Sequence, residues 1–213
     1  MSACAVLVGN NPGAYASVDA ATAAGAFADV KYFFMKRCAS LTDAELECIA
    51  FFDGDDAGDV TCVYTDGACR GNGTRAAQAG VGVFWNDGDA RNVSRRVRGA
   101  STNNVAELEA IEDALDGIAA STSTSSKSYR IITDSLYAIQ ALRVWYDGWK
   151  ARGWKTAAGG PVKNLTIICR IHDKLSALGN CCRVQLVHVR GHTGVPGNEA
   201  ADALAVAGSL LCP

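Results

Sequence analysis

Four carboxylates stand where an alternating strand–helix chain gathers its chemistry. They are Asp66 in VYTDGAC, Glu107 after Thr102-Asn103-Asn104, Asp134 in IITDS, and Asp202 four residues after Asn198. Singly, each has an ordinary role. Asp before Gly begins turns, Glu in a first helical turn suits the helix dipole, and Asp-Ser after a strand caps a helix. Together they imply more. The carboxyl ends of strands converge in an α/β sheet, and functional residues collect there. Carboxylates at close range raise one another's pKa, and a divalent cation relieves that repulsion. An oxygen-only donor set favours Mg²⁺ or Mn²⁺ over Zn²⁺. Two such ions about 4 Å apart can activate a water and stabilise the leaving oxygen of a phosphodiester.

The elements that must position these groups follow from periodicity. Val60–Thr65 is apolar and β-branched and predicts a strand that ends at Asp66. A Gly-Asn-Gly turn falls within Ala68–Gly73. Gly80–Trp85 and Asn92–Arg98 predict two further strands, so the three form an antiparallel meander. Val105, Leu108, Ile111, Leu115 and Ile118 recur at helical steps. Ser121–Ser128 is low-complexity and reads as a loop. Tyr129–Thr133 predicts a buried strand and Ser135–Trp145 a helix. Pro161 suits the start of a helix reaching about Leu178. Arg183–Val189 predicts the last strand, and Pro196–Ala207 a last helix stopped by Gly208. Hairpin strands followed by alternating strands and helices imply an α/β fold, a mixed sheet flanked by helices.

Composition sets the frame. The 213 residues suffice for one core plus a small module. No apolar run reaches the roughly 18 residues of a membrane span. The N-terminus lacks a secretory layout, so an intracellular protein without a membrane partner is expected. The nine cysteines are odd in number and form no CxxC pair, so reduced thiols are expected. Charge is uneven. Residues 1–60 carry three bases against nine acids, a net −6, whereas residues 61–213 carry 17 bases against 13 acids, a net +4. The larger part suits a polyanion. Acidic residues 53–60 read as a linker between a module at 1–52 and a catalytic domain at 61–213.

Six segments resemble, in order, the motifs of a type 1 ribonuclease H of the cellular, eukaryote-like kind: VYTDGACRGNG, AGVGVFW, STNNVAELEA, ITDSLYAI, WYDGWKARGWKTAAGGPVKN and VRGHTGVPGNEAADALA. They span nearly all of residues 61–208. The resemblance implies a mixed five-stranded sheet flanked by helices. It implies hydrolysis within the RNA strand of an RNA–DNA hybrid, leaving 5′-phosphate and 3′-hydroxyl ends. Asp66 would bridge two Mg²⁺ ions, for which Mn²⁺ could substitute. Asp134 would help hold the ion at the attacking water, and Glu107 and Asp202 the ion near the leaving oxygen. Glu107 would also accept a hydrogen bond from a ribose 2′-OH, the group that separates RNA from DNA.

The same resemblance assigns His192 to proton transfer or product release, and Asn198 to positioning the site. Cys69, Arg70, Gly71 and Asn72 match a turn whose backbone meets RNA 2′-hydroxyls. Asn103 and Asn104 match minor-groove contacts. Tyr137, Trp145 and Trp149 match an aromatic channel along the DNA strand. Thr102 and Asn164 match a DNA-phosphate pocket to which relatives often add an Arg, here replaced by Ala100. Lys155 belongs to a basic protrusion with Lys150, Arg152 and Lys163. His188, in the apolar run LVHV, reads as structural, and His172 receives no role.

Residues 4–52 resemble the small α+β hybrid-binding (viroplasmin-like) module that precedes many eukaryotic members. Its nucleic-acid chemistry is replaced: Val18 stands at the Trp position, and Phe33 and Phe34 near the paired lysines. Tyr32, Phe33 and Phe34 fit either a surface that docks a protein partner or a place in the module's own core. The competing reading is a non-enzymatic assembly or binding subunit that keeps the fold. It predicts eroded carboxylates, yet all four are retained.

Overall fold

The computed structural model describes residues 60–121 and 128–211, and the backbone of three N-terminal strands, β1 (Ala3–Val8), β2 (Gly13–Tyr15) and β3 (Phe34–Cys38). The rest of the proposed N-terminal module, including Tyr32 and Phe33, the linker residues before Val60, and most of the 121–128 loop lie outside the described residues.

Five strands form the sheet that carries the carboxylates: β4 (Val60–Arg70), β5 (Gln78–Phe84), β6 (Val93–Arg96), β7 (Ser128–Thr133) and β8 (Arg183–His188). Their order is β8-β7-β4-β5-β6. The expected meander is present: β4 pairs antiparallel with β5, and β5 with β6. β7 lies parallel to both β4 and β8, which makes the sheet mixed. The N-terminal strands are antiparallel among themselves, and β2 meets the outer edge of β8 in parallel at Gly13 and His188.

The helices are α1 (Asn103–Ser121), α2 (Leu136–Gln140), α3 (Tyr146–Ala151), α4 (Leu165–Leu178) and α5 (Pro196–Ser209). The expected apolar stripe of α1 is fully buried against Val63, Val81, Val83, Ile131 and Ile168. Helix α5 covers the opposite face. Small residues make this possible: a Cβ on Gly82 would sit 2.0 Å from the Ala201 carbonyl oxygen, and one on Gly80 2.1 Å from the Ser209 amide nitrogen. No helix of the described residues is long and apolar enough to cross a membrane.

Four sequence expectations need correction. Strand β4 does not end at Asp66 but runs on to Arg70, and the turn begins at Gly71. Gly67 looked like a turn residue, yet its missing side chain serves close packing instead. The helix after Asp134 continues beyond Trp145, through a π turn at Ala141–Trp145, into α3. Pro161 does not start α4. It bridges Lys155 in a short antiparallel contact, and the left-handed Asn164 (φ 57°) precedes the first helical residue. Gly208 does not stop α5. It lies inside the helix, where a Cβ would sit 2.5 Å from the Arg95 carbonyl oxygen.

Candidate active site

Alternation along β4 separates its neighbours. Asp66 pairs with Gly82 and shares the α5 face, while Gly67 faces α1. Ala201 rests on Gly82, so the next residue of α5, Asp202, comes beside Asp66, and their side chains hydrogen-bond. A Cβ on Gly67 would lie 2.3 Å from the Glu107 amide nitrogen. The absent side chain lets the start of α1 press on the strand, which brings Glu107 to Asp66. Asp134 follows β7, the parallel neighbour of β4, and joins them. One ligand atom from each of Asp66, Glu107 and Asp134 lies within 4.8 Å of the others. The four predicted carboxylates are therefore brought together, with Asp202 joined through Asp66.

The electrostatics of this cluster are unfavourable without a cation. Burial, then the charge of Asp134, pushes the Asp66 carboxyl up to about 8, although the Gly67 N–H donates to it at 2.7 Å. Glu107, 5% exposed, is pushed well above the usual carboxylate range by burial and by Asp66 and Asp134. Asn103 Nδ2 donates to Glu107 Oε1 at 3.2 Å, but Oε2 is buried without a hydrogen-bond partner. Asp134 is raised by burial, against a hydrogen bond from Asn198 and the nearby His192. An unpartnered buried oxygen among carboxylates that resist ionising fits a hard divalent cation. Asp66, Glu107 and Asp134 have ligand atoms close enough together to hold one, and Asp202 lies beside Asp66.

The surrounding residues divide by element. His192 is exposed on the loop before α5 with φ 57°. A Cβ on its neighbour Gly191 would sit 2.2 Å from Asp134 Oδ2, so this glycine lets the loop close over Asp134. The PGNEAAD pattern exposed the helix but not this role; the glycine directly before the histidine was the available signal. Asn198 is 2% exposed and its Oδ1 has no partner. His188 donates from its ring to the Asp134 carbonyl, and burial lowers its pKa, in keeping with a structural reading.

A second group gathers where the β4 turn meets the start of α1. Cys69 Sγ lies 3.5 Å from the Ser101 carbonyl oxygen, and the Asn103 N–H donates to Asn72 Oδ1 at 3.4 Å. Arg70, Gly71 and Asn104 are exposed beside them. Thr102 Oγ1 accepts from the Val105 N–H, so this side chain caps α1.

The aromatic residues occupy a third area. Tyr137 and Trp145 have ring centroids 6.2 Å apart, and Trp145 and Trp149 5.4 Å. Eight α-helical residues overshoot two turns by roughly 80°. The wider π turn reduces that offset and lets Tyr137 meet Trp145. Trp149 is 8% exposed and belongs to the core, whereas Trp145 is half-buried. Asn164 Nδ2 donates to the Tyr137 hydroxyl at 3.1 Å, and no side chain caps α4. Its first-turn residues Leu165, Thr166 and Ile167 line a cavity of about 520 Å³ with Gly99, Ala100 and Arg170. Lys155 stands apart on an exposed loop closed by the Thr156–Gly160 hydrogen bond. Among the described residues, Cys69, Cys169, Cys181 and Cys182 are in no disulfide.

Fold and site together define an α/β protein with a carboxylate centre suited to divalent cations. Residues 58–210 match the RNase H family, and the chain belongs to it. It is 41% identical over 152 residues to Ribonuclease H1 of Homo sapiens, covering 71% of this chain and 51% of that protein. It is 38% identical over 149 residues to Ribonuclease H of Albidiferax ferrireducens, covering 70% of this chain and 93% of that one. The chain thus spans about half the length of its mammalian relatives. Among solved structures, LC9-RNase H1, a type 1 RNase H with the type 2 active-site motif, matches with a TM-score of 0.53 and 30% identity, over 73% of this chain and 74% of that one.

Proposed function

We infer that residues 61–213 hydrolyse the RNA strand of RNA–DNA hybrids by a two-metal mechanism, leaving 5′-phosphate and 3′-hydroxyl ends. One observation carries the reading: buried Asp66 and Glu107 and half-buried Asp134 converge within 4.8 Å, with a Glu107 oxygen left unpartnered. Membership of the RNase H family and likeness to proteins named ribonuclease H support it.

In this reading Asp66 and Asp134 would hold one ion, and Glu107 and Asp202 would help hold a second beside Asp66. Bound Mg²⁺, or Mn²⁺ in its place, polarises the scissile phosphate and lowers the pKa of an attacking water. Asn198 donates to the Asp134 carboxylate, which favours its charged form against the effect of burial and aims it. His192, exposed beside Asp134, carries a proton between solvent and the reacting oxygens. Glu107 accepts from a ribose 2′-OH, which selects RNA.

The hybrid is held on both strands. The backbone of Cys69–Asn72, with Asn103 and Asn104, meets the RNA side of the minor groove. Tyr137 and Trp145 present ring faces to deoxyribose, with Trp149 behind them as support. The uncapped N–H groups of α4, Asn164 and the Thr102 hydroxyl receive a DNA phosphate. Lys155 adds charge along the backbone. The −6 charge of residues 1–60 favours a protein partner over nucleic acid for the N-terminal module.

The test is cleavage of an end-labelled hybrid in Mg²⁺, beside matched RNA and DNA duplexes. Only the hybrid should be cut, within its RNA strand, and Asp134→Asn should lose about 10³-fold or more in rate. An intact, folded protein that cuts no hybrid would move the assignment to a non-enzymatic subunit.

A further inference from the structure

Two residues beyond Glu107, helix α1 carries a second buried carboxylate that the chemistry above does not use. Glu109 is 3% exposed. Its Oε1 accepts from the Arg98 N–H at 3.0 Å and the Gly99 N–H at 3.1 Å. Its Oε2 accepts from the Arg98 N–H at 2.9 Å and from Arg95 Nη1 at 2.7 Å. Four residues on, Asp113 receives Arg95 Nε at 2.6 Å and Arg98 Nη2 at 2.9 Å. Both acids thus hold the two arginines, but in these bonds only Glu109 holds main chain.

That main chain leads to the substrate side. After Gly99 come Ala100, whose carbonyl accepts from the Thr102 N–H at 2.8 Å, and Ser101, whose carbonyl meets Cys69 Sγ. Thr102 then caps α1, and Asn103 bonds both Asn72 and Glu107. The 98–103 segment is fixed at its far end by the β4 turn and at its near end by Glu109. Gly99, Ala100 and Glu109 also line the 520 Å³ cavity at the start of α4.

We propose that Glu109 is a positioning residue for hybrid binding: through the Arg98 and Gly99 amides it sets the path of the 98–103 segment, and with it Thr102, Asn103 and the phosphate-receiving cavity. The inference rests on the ribonuclease reading. It concerns how tightly the hybrid is held rather than the chemical step. A carboxylate receiving several N–H groups fixes a loop without relying on the loop's own packing, and small displacements of positioning groups have large kinetic effects.

The experiment compares full-length wild type with Glu109→Ala, Glu109→Gln and Asp113→Asn. It measures steady-state cleavage of a labelled hybrid, amide exchange at Arg98 and Gly99, and melting temperature. Wild-type cleavage establishes the underlying reading independently; a wild type that cuts nothing overturns both. Given cleavage, Glu109→Ala should raise KM about tenfold with kcat within about twofold, and should lose protection at the Arg98 and Gly99 amides. Glu109→Gln keeps one acceptor and should fall between wild type and Glu109→Ala. Asp113→Asn weakens the same arginine pairs but keeps the Glu109 bonds, so KM and amide protection should stay at wild-type values. The proposal is overturned if Glu109→Ala leaves KM unchanged, or if Asp113→Asn raises KM as much. Should Glu109→Ala not fold, Glu109→Gln decides: unchanged KM with exposed Arg98 and Gly99 amides overturns it.

Discussion

Removing the Asp66 charge should stabilise the metal-free protein while abolishing cleavage. The Asp66 carboxyl has a solution value of 3.8 and is pushed up to about 8 by burial, then by Asp134. An acid whose folded pKa is raised stabilises the fold below its solution pKa and loses that contribution as pH rises through the folded value. For Asp66 the window therefore runs from about pH 4 to about pH 8, with stability falling across it. At 1.36 kcal/mol per pKa unit, the ceiling at pH 7 is about 4 kcal/mol. The neighbouring carboxylates share the relief, and Asn accepts the Gly67 N–H less strongly, so a gain of about 1–2 kcal/mol is expected. For a protein of this size that is a rise of roughly 2–8 °C in melting temperature for Asp66→Asn. The assay is thermal unfolding followed by circular dichroism in chelator at pH 7, repeated at pH 5 and with Mg²⁺ at pH 7. The advantage should shrink to about a third at pH 5, because most of the window lies above it. It should also shrink with Mg²⁺, which binds the folded wild type and supplies the missing cation. Equal or lower stability of Asp66→Asn in chelator at pH 7, or a gain independent of pH, would refute the reasoning.

Other consequences can be checked separately. Cation binding must displace a proton from Asp66, so apparent Mg²⁺ affinity by calorimetry should rise up to about tenfold per pH unit below pH 8. Gly191→Ala places a methyl against Asp134 Oδ2, and should cut kcat about 100-fold with little loss of melting temperature because the loop is exposed. Trp145→Ala should act mainly on KM for the hybrid, whereas Trp149→Ala empties a core position and should cost about 3–5 kcal/mol in denaturant unfolding. Gly67→Ala should destabilise by about 1–3 kcal/mol or more, since the Glu107 backbone occupies the space it needs.

Periodicity and β-branched runs made the antiparallel meander and the main helices legible. Leu108, Ile111, Leu115 and Ile118 show it most plainly, and all are fully buried. The carboxylates were legible because Asp66 and Asp134 follow apolar, β-branched runs and Glu107 and Asp202 lie on helices at motif positions. Gly67 was misread because a glycine after an aspartate signals a turn locally, while here the neighbouring helix demands it. The same holds for Gly208, which signals a helix end in sequence but serves contact with Arg95. Pro161 has the right φ for a helix start but stands in a bridge to Lys155. Glu109 and Asp113 carry no signal of their own in the sequence. Nothing local reveals that Arg95 and Arg98, on and just after β6, fold back to bury them. What was missed depends on what approaches from elsewhere in the chain.

Helix α1 supplies its own control for the reading of the site. Glu107 and Glu112 are the same residue type, on one helix, and both are buried. Their pKa values move in opposite directions. Glu112 is lowered, because Arg170 donates to both its oxygens at 2.8 and 2.9 Å and Lys174 stands nearby. Glu107 is raised well above the ordinary range, because it is buried and faces Asp66 and Asp134. At Glu112 the hydrogen bonds from Arg170 outweigh the effect of burial, whereas at Glu107 burial is the largest cause and the facing acids add to it. Where the fold needs a stable buried acid, it brings an arginine to it. At Glu107 it brings two more acids and leaves Oε2 without a partner. Positive charge from outside the chain would favour the ionised form of such a group, so the arrangement suits cation binding at the expense of stability.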